Sequence, residues 1–191
     1  RRVLFRSLLT HEHMDHIGGI DDLRAFNFRQ RRAMDIHGNA ATLEAVRHMY
    51  HYAFGERVYP GVPELALHAV DGAFTIGDAR IEPFAVLHGR MPVLGYRIGG
   101  LAYITDANHI ADEVVERLHG IDVLVLNALR QSEHPTHFNL QQALAMVERI
   151  APKRACFTHI SHLLGTHAEV SAELPKGVEL AIDGLRIDFP A

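Results

Sequence analysis

The sequence predicts a layered α/β domain, and three observations carry the prediction. Extended apolar runs alternate with helical periodicities, no Pro/Gly-rich linker separates them, and Ile121-Asp122-Val123-Leu124-Val125-Leu126 is apolar enough to be a strand covered on both faces. At 191 residues, 48% hydrophobic and 22% charged, a single domain can bury a sizeable core.

The elements follow in order. Leu8-Leu9 reads as the end of a strand, and Asp35-Ile36-His37-Gly38 as a second, short one. Asn39 then opens a helix that places Leu43, Val46, Tyr50 and Phe54 on one face. Residues 65–70, 81–87, 94–98 and 101–105 are extended, residues 110–118 helical, and 121–126 extended again. Asn139 caps a helix carrying Leu140, Ala143, Leu144, Val147 and Ile150 at three- and four-residue spacing, with Gln142 placed for a capping box. Residues 154–158 are a strand, and 179–182 and 185–189 on either side of Asp183-Gly184 carry a hairpin signal.

Charge and cysteine content narrow the function classes. The net charge is −4, and the basic cluster Arg29, Arg31 and Arg32 is too small for a broad nucleic-acid footprint. The one cysteine, Cys156, excludes an internal disulfide framework, and its strand setting suits a buried structural thiol better than a nucleophile. No apolar run is long enough to cross a membrane and no signal peptide is visible, which leads to the expectation of a cytoplasmic protein. Residues 1–7, Arg1-Arg2-Val3-Leu4-Phe5-Arg6-Ser7, lack an initiator Met and are read as non-native sequence, leaving 8–191 as the domain.

The most specific chemistry lies in His11-Glu12-His13-Met14-Asp15-His16. Three imidazoles and a carboxylate so close together could not all be satisfied core residues, and a solvated loop has no need of them. A strand-to-loop transition can aim His11 and His13 one way while Asp15 and His16 swing round the turn, so one loop can serve two adjacent cations. Further ligands are then expected where other strands end. His88 follows Phe84-Ala85-Val86-Leu87, Asp106 follows Ala102-Tyr103-Ile104-Thr105, and His159 follows Ala155-Cys156-Phe157-Thr158. Each alone is unremarkable, a surface histidine or a turn aspartate; the three together are not.

On these residues the chain resembles the metallo-β-lactamase superfamily of binuclear hydrolases. Within it, the likeness is to the phosphodiesterase branch of phosphoribosyl 1,2-cyclic phosphate phosphodiesterases, related to ribonuclease Z. It rests on residues 9–16, on Gly18-Gly19-Ile20-Asp21-Asp22-Leu23-Arg24, on His137 before Asn139-Leu140, and on Thr158-His159-Ile160-Ser161-His162. The resemblance implies an αββα sandwich in which one metal takes His11, His13 and His88, the other Asp15, His16 and His159, with Asp106 bridging. It also implies that the first part of the N-terminal half is missing and that the chain is a fragment that folds poorly alone. A structural zinc at His162 is not expected, since the cysteines that would share it do not exist here.

The function so implied is cleavage of a phosphodiester, a small cyclic ribose phosphate above all, by a metal-bridging hydroxide. The cofactors would be two divalent transition metal ions, zinc or manganese; no organic cofactor site is expected. His137, outside that ligand set and just before a helix N-terminus, is the candidate general acid, so His137 and Asp106 are the catalytic candidates. The expected partner is a small phosphodiester, with membrane excluded, nucleic acid disfavoured and a homodimer allowed. Competing readings are an acyl hydrolase of the same superfamily, cleaving a thioester, lactone or β-lactam, and an inactive metal-binding fragment. His48 and His51, near the end of a predicted helix, are read as surface residues favoured by its dipole, and His37, His68, His109, His119, His134 and His167 show no ligand spacing.

Overall fold

The computed structural model describes residues 5–55 and 60–189 and divides the chain into two units, Arg1–Asp71 and Gly72–Ala191. Residues 1–4 of the stretch read as non-native lie outside the described residues; Arg6 and Ser7 belong to a strand.

In the first unit, β1 (Arg6–Leu8), β2 (Met34–Gly38) and β3 (Leu65–Ala69) form a parallel sheet in that order, with Ser7 opposite Ile36 and His37 opposite His68. Between β1 and β2 lie the short α1 (Met14–Ile17), a 3₁₀ turn at Ile20–Leu23 and α2 (Arg24–Gln30). Then comes α3 (Ala40–Met49), whose cap is Asn39 as the sequence predicts: its side chain accepts from the Thr42 N–H at 2.8 Å. Leu43, Val46 and Tyr50 bury against Leu9, Ile17, Ile20, Met34 and Ile36, while Phe54 packs at the margin of this core. The Tyr50 hydroxyl donates to the Ile17 carbonyl at 2.7 Å and so ties the end of α1 to the core. Asp35, buried mid-strand, is held by Arg6 at 2.6 Å, by Arg32, and by His68 at 2.9 Å.

In the second unit, β4 (Phe74–Ile76), β5 (Ala79–His88), β6 (Met91–Ile98) and β7 (Leu101–Tyr103) run antiparallel in sequence. After α4 (Asp112–Leu118), β8 (Val123–Asn127) pairs parallel with β7; after α5 (Leu140–Ile150), β9 (Arg154–Thr158) pairs parallel with β8. Last come α6 (His167–Glu173) and β10 (Val178–Leu180), which closes the order β10-β9-β8-β7-β6-β5-β4. Val123, Leu124 and Leu126 of β8 are buried, as expected of a strand covered on both faces. The predicted capping box on α5 is present, Asn139 accepting from Gln142 N–H and Gln142 accepting from Asn139 N–H. Gly95 lies opposite Phe84, and a Cβ there would stand 2.4 Å from the Phe84 ring, so only glycine lets the two strands pair with that ring between them.

One expectation fails. The turn at Asp183-Gly184 exists, but 185–189 form no strand, and β10 pairs parallel with β9 instead of turning back as a hairpin. The Arg154–Glu179 ion pair and the Cys156 thiol donating to Glu179 at 3.2 Å fix β10 on β9, and period-two alternation alone cannot outweigh a ladder already in place. The helices α1, α2 and α6 and the three-residue β4 escaped the sequence reading, α1 having only four residues. α2 and α6 have seven residues each, too few for a clear 3.6-residue periodicity, although Thr166 and Glu169 form a capping box that marks the start of α6.

Candidate active site

In the first unit the histidine loop follows β1 directly. His11 Nε2 lies 3.1 Å from His13 Nδ1, and the His11 ring centroid is 4.2 Å from that of His16. His11 is fully buried, and the Thr10 hydroxyl sits 3.0 Å from its Nδ1. Residues 13–16 turn into α1, which places His16 3.2 Å from the mostly exposed Asp15. Thr42, on α3, donates to Glu12 across 3.4 Å. Neighbouring imidazoles of one potential charge repel when protonated, so this packing suits neutral rings that offer lone pairs.

In the second unit the candidate residues come from three strand ends and a loop. His88 closes β5, Asp106 and His159 stand shortly after β7 and β9, and His137 lies in the loop between β8 and α5. His137 Nε2 is 2.9 Å and His159 Nε2 3.1 Å from the same Asp106 oxygen, Oδ1; the Thr105 hydroxyl donates to Oδ2 at 2.6 Å. His88, Asp106 and His137 each offer an atom within 4.8 Å of the others, a grouping able to hold a cation. His137, read from sequence as standing apart from the ligands, is thus in contact with one of them. His88 donates Nδ1–H to the Thr136 carbonyl at 3.0 Å in any tautomer that makes this bond, which leaves Nε2 as a lone-pair donor, the usual outer support of a metal-binding histidine.

Backbone geometry marks the same residues. Among the described residues, four non-glycine ones have left-handed φ: Arg31 and Ala151 cap the C-termini of α2 and α5, where this conformation is routine, whereas Asp106 (58°) and His159 (54°) cap nothing. A histidine or aspartate held there stores on the order of 1–3 kcal/mol, and the surrounding structure must impose it. Asn127 does so beside Asp106, its buried amide accepting from Ala107 N–H at 2.8 Å and donating to the Ala107 carbonyl at 3.0 Å. Asn108 accepts from Gly89 N–H and donates to the Pro135 carbonyl, both at 2.9 Å, joining the turn after His88 to the loop of His137. Neither asparagine carries a sequence signal. His134, set aside for want of ligand spacing, lies 3.1 Å from His137 through its Nδ1; the spacing His134-x-x-His137 was its only signal. His162 is exposed.

Cys156 is no nucleophile: burial first, then its bond to Glu179, push the thiol up to about 12. Burial, followed by the charges of His137, Arg130 and His88, lowers the pKa of His134.

A buried carboxylate with imidazole nitrogens disposed around it, on strand ends of an α/β sheet, is a grouping that could hold a metal ion. The family model described as "Beta-lactamase superfamily domain" matches residues 7–160, and the chain belongs to that superfamily, whose metallo-β-lactamase-fold members are metal-dependent hydrolases. A crystal structure of a new diphosphatase from the PhnP family is 35% identical, covers 97% of this chain and 71% of its own, and superposes with a TM-score of 0.88. An octanoyltransferase of Porphyromonas gingivalis is 39% identical over 93% of this chain and 36% of its own length. An exodeoxyribonuclease, YycJ, of Bacillus anthracis is 25% identical over 67% of this chain and 48% of its own. The chain thus spans between a third and a half of those two relatives. The fold is the metallo-β-lactamase α/β fold expected from the sequence. Among the described residues no helix is long and apolar enough to cross a membrane.

Proposed function

We propose that this chain is a binuclear metal-dependent hydrolase that cleaves a phosphodiester, a small cyclic ribose phosphate first among the candidates. The observation that supports it most is the buried His137–Asp106 contact at 2.9 Å, which sets a second kind of histidine beside the prospective metal carboxylate. Hydrolysis of a thioester by the same metals, whose thiolate leaves without a proton, has no need of that histidine. An alkoxide leaving phosphorus does, since it must acquire a proton. The 35% identity to a diphosphatase favours phosphorus chemistry too.

The donor set fits transition metals, being entirely nitrogen and oxygen, with His88 oriented from its Nδ1 side. The proposed ligands remain His11, His13 and His88 for one ion, Asp15, His16 and His159 for the other, and Asp106 for both, as the family resemblance implies. When bound, two such ions lower the pKa of water towards neutrality and neutralise phosphate charge. The chain's part is to orient the imidazoles, exclude water around buried Asp106, and deliver a proton from His137. The name of the Porphyromonas relative raises acyl transfer, but Cys156, the sole cysteine, is buried with its thiol held protonated, so this chain offers no thiol nucleophile.

The test is elemental analysis of protein purified without chelator, joined to assays on cyclic ribose phosphates, linear phosphodiesters, diphosphates, thioesters and lactones. We expect roughly two transition metals per chain, the complement of a two-metal site, and turnover on phosphodiesters. Protein that takes up no metal on supplementation, or that hydrolyses only acyl substrates, would refute the proposal.

A further inference from the structure

The loop between β8 and α5 holds a polar network that the ligand assignment leaves unused. His137 turns Nε2 to Asp106, and its opposite edge faces two partners at once, Thr136 Oγ1 at 2.9 Å and His134 Nδ1 at 3.1 Å. His134 is itself held, because the Thr136 backbone N–H donates to its Nδ1 across 3.3 Å and the Thr136 hydroxyl lies 3.3 Å from the same atom. A ring nitrogen that accepts from a backbone N–H carries no proton, so the one lone pair of His134 Nδ1 is shared between the long Thr136 N–H contact and the nearer His137 Nδ1–H. The rings meet edge to face, with centroids 4.9 Å apart at 62°, which suits this contact rather than a stack.

We propose that His134 is a positioning residue for His137, fixing through its Nδ1 and the Thr136 hydroxyl which of the two ring orientations His137 adopts. The inference rests on the reading of His137 as the acid. Histidine χ2 has broad, roughly two-fold wells, and a flipped ring would turn a carbon towards His134 and Thr136 in place of Nδ1. Loss of those partners would let the ring sample the flip, in which Nε2 no longer meets Asp106. Both partners lie on the edge away from Asp106, so their hold on the ring does not depend on what Asp106 binds.

His134→Ala should lower kcat on a phosphodiester about 10- to 100-fold with KM unchanged, the range for outer partners of site histidines. Added to His137→Ala it should change the rate by less than about twofold, because residues that act through one another are not additive. His134→Asn, whose amide oxygen can accept in the same place, should recover most of the loss and guards against misfolding of the alanine variant. Nitrogen-15 spectra of the metal-free protein give a readout independent of turnover: one sharp set of His137 ring signals in the native chain, broadened or doubled in His134→Ala. A fully active His134→Ala, a loss repeated undiminished on His137→Ala, or unchanged ring signals would overturn the proposal. Absence of all phosphodiester turnover in the native chain would sink the phosphodiester reading instead, and the spectra would still decide the positioning role.

Discussion

The first unit gathers its histidines by sequence, the second by topology. His11, His13 and His16 meet because six consecutive residues leave a strand and enter a helical turn, so local geometry brings them together. His88, Asp106, His137 and His159 meet because four separate exits of one sheet converge, two of them in left-handed conformations that asparagine side chains and loop hydrogen bonds impose. A group assembled from distant strand ends should depend on the member that the others share.

The sharpest way to break this contrast is Asp106→Ala. It removes the oxygen that His137 and His159 both approach, and turnover should fall to background with bound metal greatly reduced. Retention of the full metal content would show that Asp106 is not a shared ligand. Asp35→Asn tests how the first unit holds its sheet. Burial opposes the charged form of Asp35, but the His68 hydrogen bond and the Arg6 and Arg32 charges outweigh it and hold the carboxyl below its ordinary 3.8. A depressed carboxyl stabilises the folded state above its unfolded pKa and loses that contribution as pH falls through the folded value. The substitution should therefore cost about 3 kcal/mol near pH 7, with the difference from the native chain vanishing in strong acid. Hydrogen exchange should rise in β1 to β3 and not in β8 and β9; an equal rise in both sheets would contradict it. The smallest effect compares caps. Asn39→Ala and Asn139→Ala should each cost about 1 kcal/mol, with Asn139 the dearer because Gln142 returns its bond and no such return is seen at Asn39. Denaturant midpoints of the two variants check the order.

The same contrast explains what was legible beforehand. The histidine loop, the Asn39 and Asn139 caps and the apolar β8 are written in neighbouring residues, and each took its expected place. His88, Asp106 and His159 were found as polar residues at strand ends, a weaker signal that gained force by threefold repetition. Asn108, Asn127, Thr136 and His134 were not legible, because their roles depend on which strand ends are neighbours, and register is a property of the sheet. The predicted terminal hairpin failed for the same reason: residues 185–189 alternate well, but Glu179 had already fixed β10 on β9 through Arg154 and Cys156.

Thr136 serves two masters. Its carbonyl accepts from His88 and its hydroxyl meets His137, while its methyl group lies 3.0 Å from where a Cβ on Gly89 would stand. A drift in this one residue turns both rings together, and a side chain at position 89 would push on it. Over evolutionary time such a residue is an epistatic knot: substitutions at 88, 89, 136 and 137 can be tolerated only in combination. Adaptation towards a new substrate would then have to proceed by paired changes in this turn and loop.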